Sequence, residues 1–170
     1  MKRRLWHFHG GLHLPEHKQE SMTEPVVAAE LPAEIVLPLQ QHIGSPAEPV
    51  VRVGDRVLKG QMVARASEYV SAPVHASTSG EVIAIEERGA PHPSGLPLMS
   101  IVIRPDGRDE WTDLEPVSNY EQLDPSALRN IIRDAGIVGL GGAGFPSFIK
   151  LNPGPDKVVD TLILNGAECE

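Results

Sequence analysis

The residues best suited to chemistry lie in the stretch "VGLGGAGFPSFIK", residues 138–150. Gly139, Gly141 and Gly144 satisfy the spacing G-x-G-x-x-G, and Gly142 adds a fourth position without a Cβ. Bare backbone of this kind lets successive N–H groups approach a ligand and gather into an anion-binding concavity. Pro146 suits the first turn of a helix over "PSFIK", whose N-terminus would add to the pull on a phosphate. Lys150, about one turn further on, supplies a positive charge, and Phe145 offers a flat apolar face to a ring. The dinucleotide fingerprint, however, requires a strand before the glycines, a helix after them and an acidic residue about 20 residues on. Here a helical pattern precedes the glycines and the next apolar run ends at Asn165, so an ordinary nicotinamide Rossmann site fails on order. From residue types alone two readings stay open: an anion cradle, or a glycine-rich turn that lets a helix and a sheet pack closely.

Other chemical candidates are thinner. His7, His9, His13 and His17 fall in one short stretch, and four imidazoles invite a metal reading. Pro15 between the last two, with Gly10 and Gly11 before them, argues against the helix that would align them. Residues 1–34 therefore read as a polar arm, with no metal site. Cys169 is the single cysteine, which excludes an internal disulfide and fits a reducing compartment. It reads as a small packing residue rather than a nucleophile. One thiol cannot hold a [4Fe–4S] cluster, which takes four. No serine stands in a G-x-S-x-G elbow.

The elements that must position the glycines can be read upstream. "DPSALRNIIRDAG" is a helix: Asp124 caps it, Pro125 suits its first position, and Gly136 stops it with a left-handed cap. Leu128, Ile131, Ile132 and Ala135 share one face. After the glycines, "TLILN" has the all-apolar character of a strand buried in a parallel sheet. Before the helix, residues 105–123 are charged and turn-rich and read as a linker. Residues 35–104 read as short strands, "EIVLPL", "PVVRVG", "QMVARA", "GEVIAIEE" and "SIVIRP", separated by Gly, Pro, Asp and Ser. In "EVIAIE", strict alternation places Val82 and Ala84 on one face and Ile83 and Ile85 on the other, both covered. Strands this short and evenly spaced suggest a small barrel or sandwich.

The two turn-bearing segments "VRVGDRVLKGQMVA" and "PVHASTSGEVIAIE" resemble the halves of a biotinyl- or lipoyl-type barrel-sandwich hybrid. Domains of that type carry a modified lysine on the hairpin between the halves. Here that interval, "RASEYVSAPVHA", contains no lysine, and Lys59 sits inside the preceding turn. Neither covalent biotin nor lipoate is expected, and the module reads as structural or docking.

Composition narrows the partners. The formal charge of −8 argues against nucleic acid, whose phosphates select basic surfaces. With 16 Gly and 16 Pro the chain must be rich in turns, in keeping with short strands. No apolar run reaches the 18 or so residues of a membrane helix, so no direct membrane insertion is expected.

The motifs "GLGGAGFPSFIKL" and "TLILNGAECE" resemble the flavin-binding region of the complex I flavoprotein subunit family, and more closely the C subunit of Rnf electron-transport complexes. "GGLHLPEHK", "LPLQQHIGSPAEPVVRVGDRVLKGQ" and "SAPVHASTSGEV" match that family as well, so the resemblance runs from about Gly10 to Glu170. It implies an α+β chain: an arm (1–34), a mainly-β barrel-sandwich hybrid (35–104), a linker (105–123), and the first helix, glycine loop and strand of an incomplete α/β flavin-binding domain (124–170). It implies a peripheral, NADH-oxidising subunit on the cytoplasmic face of the bacterial inner membrane, in a complex that couples NADH–ferredoxin electron transfer to ion translocation. It implies FMN and NADH as cofactors and the other Rnf subunits as partners, with [4Fe–4S] clusters only in a C-terminal region beyond this sequence. By position, Gly139, Gly141, Gly142 and Gly144 would pass close to FMN and the dinucleotide, with Phe145 and Lys150 on the nucleotide side. Asn165 would bond the flavin or its ribityl phosphate, and Glu168 and Glu170 would line the nicotinamide side. No residue is expected to act as acid, base or nucleophile. Because the sequence stops inside the motif, the 170 residues alone are expected to be inactive and not to hold FMN tightly. The alternative is a non-catalytic docking module of the same complex.

Overall fold

The computed structural model describes residues 9–10, 14–15, 17–92, 94–140, 144–154, 156–161 and 163. By contacts the chain divides into Met1–Glu30 and Leu31–Glu170. In the first unit Lys18–Glu20 form one 3-10 turn, with the His17 ring 3.5 Å from Glu20. His7 and His13 lie outside the described residues, and among the described residues no group of His, Cys, Asp and Glu is arranged to hold a metal.

The second unit opens with the expected barrel-sandwich hybrid. Strands β1 (Ile35–Pro38), β7 (Pro97–Pro105), β6 (Gly80–Gly89) and β3 (Arg56–Val57) form one sheet in the order β1-β7-β6-β3. β2 (Glu48–Pro49), β4 (Met62–Arg65) and β5 (Val74–His75) form a second, in the order β2-β4-β5, and every pairing is antiparallel. Between the sheets Val57, Val63, Val82, Ile101 and Ile103 are completely buried. These β-branched side chains suit a pleated surface, and burying each contributes about 1.5–3 kcal/mol.

Two sequence expectations shift here. "PVVRVG" is not one strand: pairing stops at Pro49, Val53–Gly54 form a turn, and pairing resumes at Arg56. The alternation in β6 also breaks. Val82 faces Ile103, Ala84 faces Val102 and Ile85 faces Ile101, leaving Ile83 as a bulge. One inserted residue reverses the faces beyond it. Ile85 therefore joins Val82 on the core side, while Ala84 lies with Val102 on the other, where Val102 is fully buried too.

The "VGDRVLKGQ" segment makes two matched turns. The Arg52 N–H donates to the Asp55 carboxylate (2.8 Å), and the Leu58 N–H donates to the Gln61 amide oxygen (2.9 Å). Each turn then clips one residue of the opposite half. Gly54 and Asp55 bond both backbone groups of Val82, and Gly60 and Gln61 bond both of Ala76.

The segment read as a linker begins by returning to the barrel. Trp111 bridges Lys59, and the Lys59 ammonium sits 2.6 Å from the Asp109 carboxylate and 4.9 Å from the Trp111 ring. Asp106 accepts from the Ser79 hydroxyl (2.7 Å) and Asp109 from that of Thr78 (2.8 Å). Lys59 is thus engaged as a structural cation. Hydrogen bonds hold both carboxyls below their ordinary range, from Ser79 first at Asp106 and from Lys59 first at Asp109.

Helix α1 (Pro125–Asp134) follows, and then a hairpin of β8 (Val138–Gly139) and β9 (Phe145–Pro146) leads into the single turn α2 (Ser147–Lys150). The apolar face of α1 is only partly covered: none of its residues is buried, and Ile131 is 39% exposed. "TLILN" does not appear as a strand where it is described. Thr161 and Ile163 lie outside any strand, and Ile163 is exposed. Leu162, Leu164 and Asn165 lie outside the described residues. No helix among the described residues is long and apolar enough to cross a membrane.

Candidate functional site

The glycine-rich stretch leaves the end of α1, and both ends of that helix form as their residues dictate. The Asp124 carboxylate accepts the N–H groups of Ser126 (2.9 Å) and Ala127 (3.1 Å). The Ser126 hydroxyl and then these amides hold the Asp124 carboxyl below its ordinary range. At the other end the Gly136 N–H bonds the Arg133 carbonyl (2.9 Å) and the Ile137 N–H reaches back to Ile132 (3.4 Å), a Schellman motif with Gly136 at φ +70°. A Cβ on Gly136 would stand 3.0 Å from the Pro73 carbonyl oxygen and 3.3 Å from the His75 ring. The helix therefore ends against the barrel at a place where a side chain would be crowded.

Across the hairpin Val138 pairs with Pro146 and Gly139 with Phe145. The tip between them carries Gly141 and Gly142, which lie outside the described residues; Leu140 at its start is exposed. On the return the chain meets the barrel again. Gly144 has φ +63°, a Cβ there would fall 2.7 Å from the Gln41 carbonyl oxygen, and its carbonyl accepts the Ile43 N–H (3.2 Å). Gly144 thus has a packing reason of its own.

Three expected site residues come together at the root of the loop. The Lys150 ammonium lies 5.5 Å from the Phe145 ring centroid. It also lies 2.9 Å from where a Cβ on Gly139 would stand. The bare Gly139 backbone leaves room for the lysine stem to fold back over the hairpin. The result is a cation held beside an aromatic ring at the root of the loop. That donor set fits an anionic ligand that also carries a ring, such as a flavin nucleotide.

The helix N-terminus does not contribute as expected. Pro146 ends β9 and precedes α2 instead of opening it, α2 is four residues long, and its Ser147 N–H donates to the Ile137 carbonyl (3.0 Å). Asn165, Glu168, Glu170 and Cys169 lie outside the described residues.

Sequence reasoning missed the residues that hold this root in place. Phe148, 7% exposed, meets Tyr69 edge-on with centroids 5.7 Å apart and carries the Arg133 guanidinium 5.3 Å from its ring. His75 shares a cavity of about 210 Å³ with His42, Gly136 and Val138. Burial pushes its imidazole down from its ordinary value, opposed by a hydrogen bond to the Asp134 backbone and by the Asp134 charge. With aromatic residues at only 4%, the scarcity of Phe and Tyr is the one available signal that each has a specific place.

Residues 6–108 match the family model of the RnfC barrel-sandwich hybrid domain, and residues 132–170 match that of the Nuo51 FMN-binding domain. The chain is 48% identical over 167 residues to the C subunit of the ion-translocating oxidoreductase complex of Vibrio cholerae, covering 98% of this chain and 22% of that protein. It is 48% identical over 164 residues to the C subunit of the proton-translocating ferredoxin:NAD(+) oxidoreductase complex of Clostridium ljungdahlii, covering 96% and 35%. It is 46% identical over 164 residues to the Na(+)-translocating counterpart of Acetobacterium woodii, covering 96% and 37%. The chain thus spans between about a fifth and two fifths of the length of these curated relatives. With its barrel matched along most of its length and a glycine loop matched to an FMN-binding domain, the chain belongs to the RnfC family.

Proposed function

We propose that these residues are the N-terminal part of the electron-input subunit of an Rnf-type NADH:ferredoxin oxidoreductase. In this reading the whole protein is peripheral to the cytoplasmic face of the inner membrane, assembled with the other subunits of the complex. Its [4Fe–4S] clusters belong to a region beyond this sequence. The relatives are named for different coupling ions at nearly the same identity, so the likeness over this region does not distinguish the ion.

The observation that carries the reading is the meeting of Lys150, Phe145 and Gly139 at the root of a loop matched to an FMN-binding domain. Lys150 neutralises an anionic group of the nucleotide. Gly139, Gly141, Gly142 and Gly144 pass close to FMN and the dinucleotide, and Phe145 lies on the nucleotide side. Asn165 bonds the flavin or its ribityl phosphate, and Glu168 and Glu170 line the nicotinamide side. FMN, when bound, supplies the conversion of a two-electron hydride into single electrons. The protein's part is to bind, orient and exclude water.

Titration of FMN into the flavin-depleted full-length protein, read by quenching of flavin fluorescence, tests this. Losing a charge-assisted contact predicts about 10- to 100-fold weaker binding for Lys150→Met, with Lys150→Arg close to wild type. Equal affinity for Lys150→Met would remove the lysine from the site. The docking reading has one observation in its favour, the burial of Phe148 against the barrel loop, which gives the barrel a packing role.

A further inference from the structure

In covalent carrier domains with this barrel, the hairpin between the halves is the free, arm-bearing one. In this chain the same hairpin, residues 66–73 between β4 and β5, is fastened. The Val70 carbonyl accepts the Ser45 N–H (3.0 Å), and a Cβ on Gly44 would fall 2.0 Å from that same oxygen. The ring of His42 ties the two segments together. Its Nδ1–H donates to the Ile43 carbonyl (2.8 Å) and its Nε2 accepts the Ala72 N–H (3.0 Å), an assignment of tautomer made from this network. His42 and Ala72 are buried, so the bond between them forms away from water.

The glycine-loop root meets the barrel on these two segments and on β5 directly after them. Gly144 packs on Gln41 and His42 and bonds Ile43, Gly136 packs on Pro73 and His75, and Phe148 packs on Tyr69. The two fixed ends of the glycine loop thus rest on one cross-linked platform, with the loop tip between them. We propose that the hairpin at the carrier position serves as a seat that fixes the flavin-binding loop, and that Tyr69 is a positioning residue for a flavin nucleotide it does not touch. The inference rests on the flavin reading above. A loop rich in glycine loses much backbone entropy on ordering. Holding its two ends before the ligand arrives lowers that cost at binding.

Tyr69 suits a test because it is 56% exposed and belongs to neither sheet, so its truncation spares the barrel core. The test uses the full-length protein with Tyr69→Ala and Tyr69→Phe, each titrated with FMN and melted by circular dichroism. Loss of one edge-on ring contact predicts about three- to tenfold weaker FMN binding for Tyr69→Ala. The barrel melt should not change, and Tyr69→Phe, which keeps the ring, should bind as wild type. Unchanged FMN affinity in Tyr69→Ala overturns the proposal while leaving the flavin reading standing. If the wild-type protein itself takes no FMN, the flavin reading fails, and hydrogen exchange judges the seat alone. Faster exchange of the Ile43 and Ser147 amides in Tyr69→Ala then supports it, and unchanged exchange overturns it.

Discussion

The barrel and the hairpin region after it are built to opposite plans. The barrel encloses its own core: six of its Val and Ile side chains have no exposed surface, and each matched turn bonds the opposite half. Among the described residues, the region from α1 to α2 buries two apolar side chains, Pro146 and Phe148, and Phe148 packs against the barrel. Its order is borrowed. A glycine-rich loop can gain a defined root from an adjacent rigid module before any ligand is present.

That asymmetry is testable by breaking each side in turn, and the largest effect belongs to the barrel. Ile103→Ala removes a fully buried side chain facing both Ile35 and Val82. A cost of about 2–5 kcal/mol is expected, read from the denaturant midpoint. Because the hairpin leans on the barrel, its amides should lose protection in step. A hairpin that stays protected after the barrel has unfolded would show that it stands alone.

The reverse substitution is smaller and should not propagate. Gly144→Ala places a methyl 2.7 Å from the Gln41 carbonyl on a backbone with φ +63°. About 1–3 kcal/mol of strain is expected. It should appear as faster exchange at Ile43, whose N–H bonds the Gly144 carbonyl, with little change in the barrel midpoint. An equal fall in the midpoint would erase the distinction between the two regions.

What the sequence reveals follows the same division. The barrel strands and the α1 cap are legible because their causes are local: β-branched runs between turn residues, an Asp-Pro start, a Gly stop. The bulge at Ile83 is not legible, since it depends on how β7 sets its register. The pairing of Phe148 with Tyr69, and of Gly144 with Gln41, joins residues far apart in the chain, and no periodicity announces it. The glycine pattern signals bare backbone correctly but cannot say for whom. Gly136 and Gly144 serve the barrel, while Gly139 clears space for Lys150. Most of the strand expected at "TLILN" lies outside the described residues.

Between these extremes lies the cap of α1. Asp124→Ala should loosen the start of the helix, seen as fraying at Ser126 and Ala127 with the barrel untouched. Acid should mimic it. The folded Asp124 carboxyl titrates below its ordinary value of 3.8, so its contribution is full above that value and is lost as pH falls through the folded one. Asp106 and Asp109 shift in the same direction, so the strap from residue 106 to 112 should loosen over the same acid range.

The smallest expected effect probes the boundary itself. His75 sits where the end of α1 meets β5, with His42 lining the same cavity and Asp134 as the nearby acid. Burial disfavours its imidazolium, and the Asp134 hydrogen bond and charge offset this only in part, so the folded value lies below the ordinary 6.5. A base with a depressed folded value binds fewer protons when folded than when unfolded. Stability at this junction is therefore full above about pH 6.5 and falls as the pH drops from there toward the folded value. Denaturant midpoints of the full-length protein between pH 7.5 and 5.5 should decline with acid, and the decline should be shallower in His75→Gln. Identical slopes in the two proteins would mean that the junction does not sense this proton, and that the barrel and the hairpin part for other reasons.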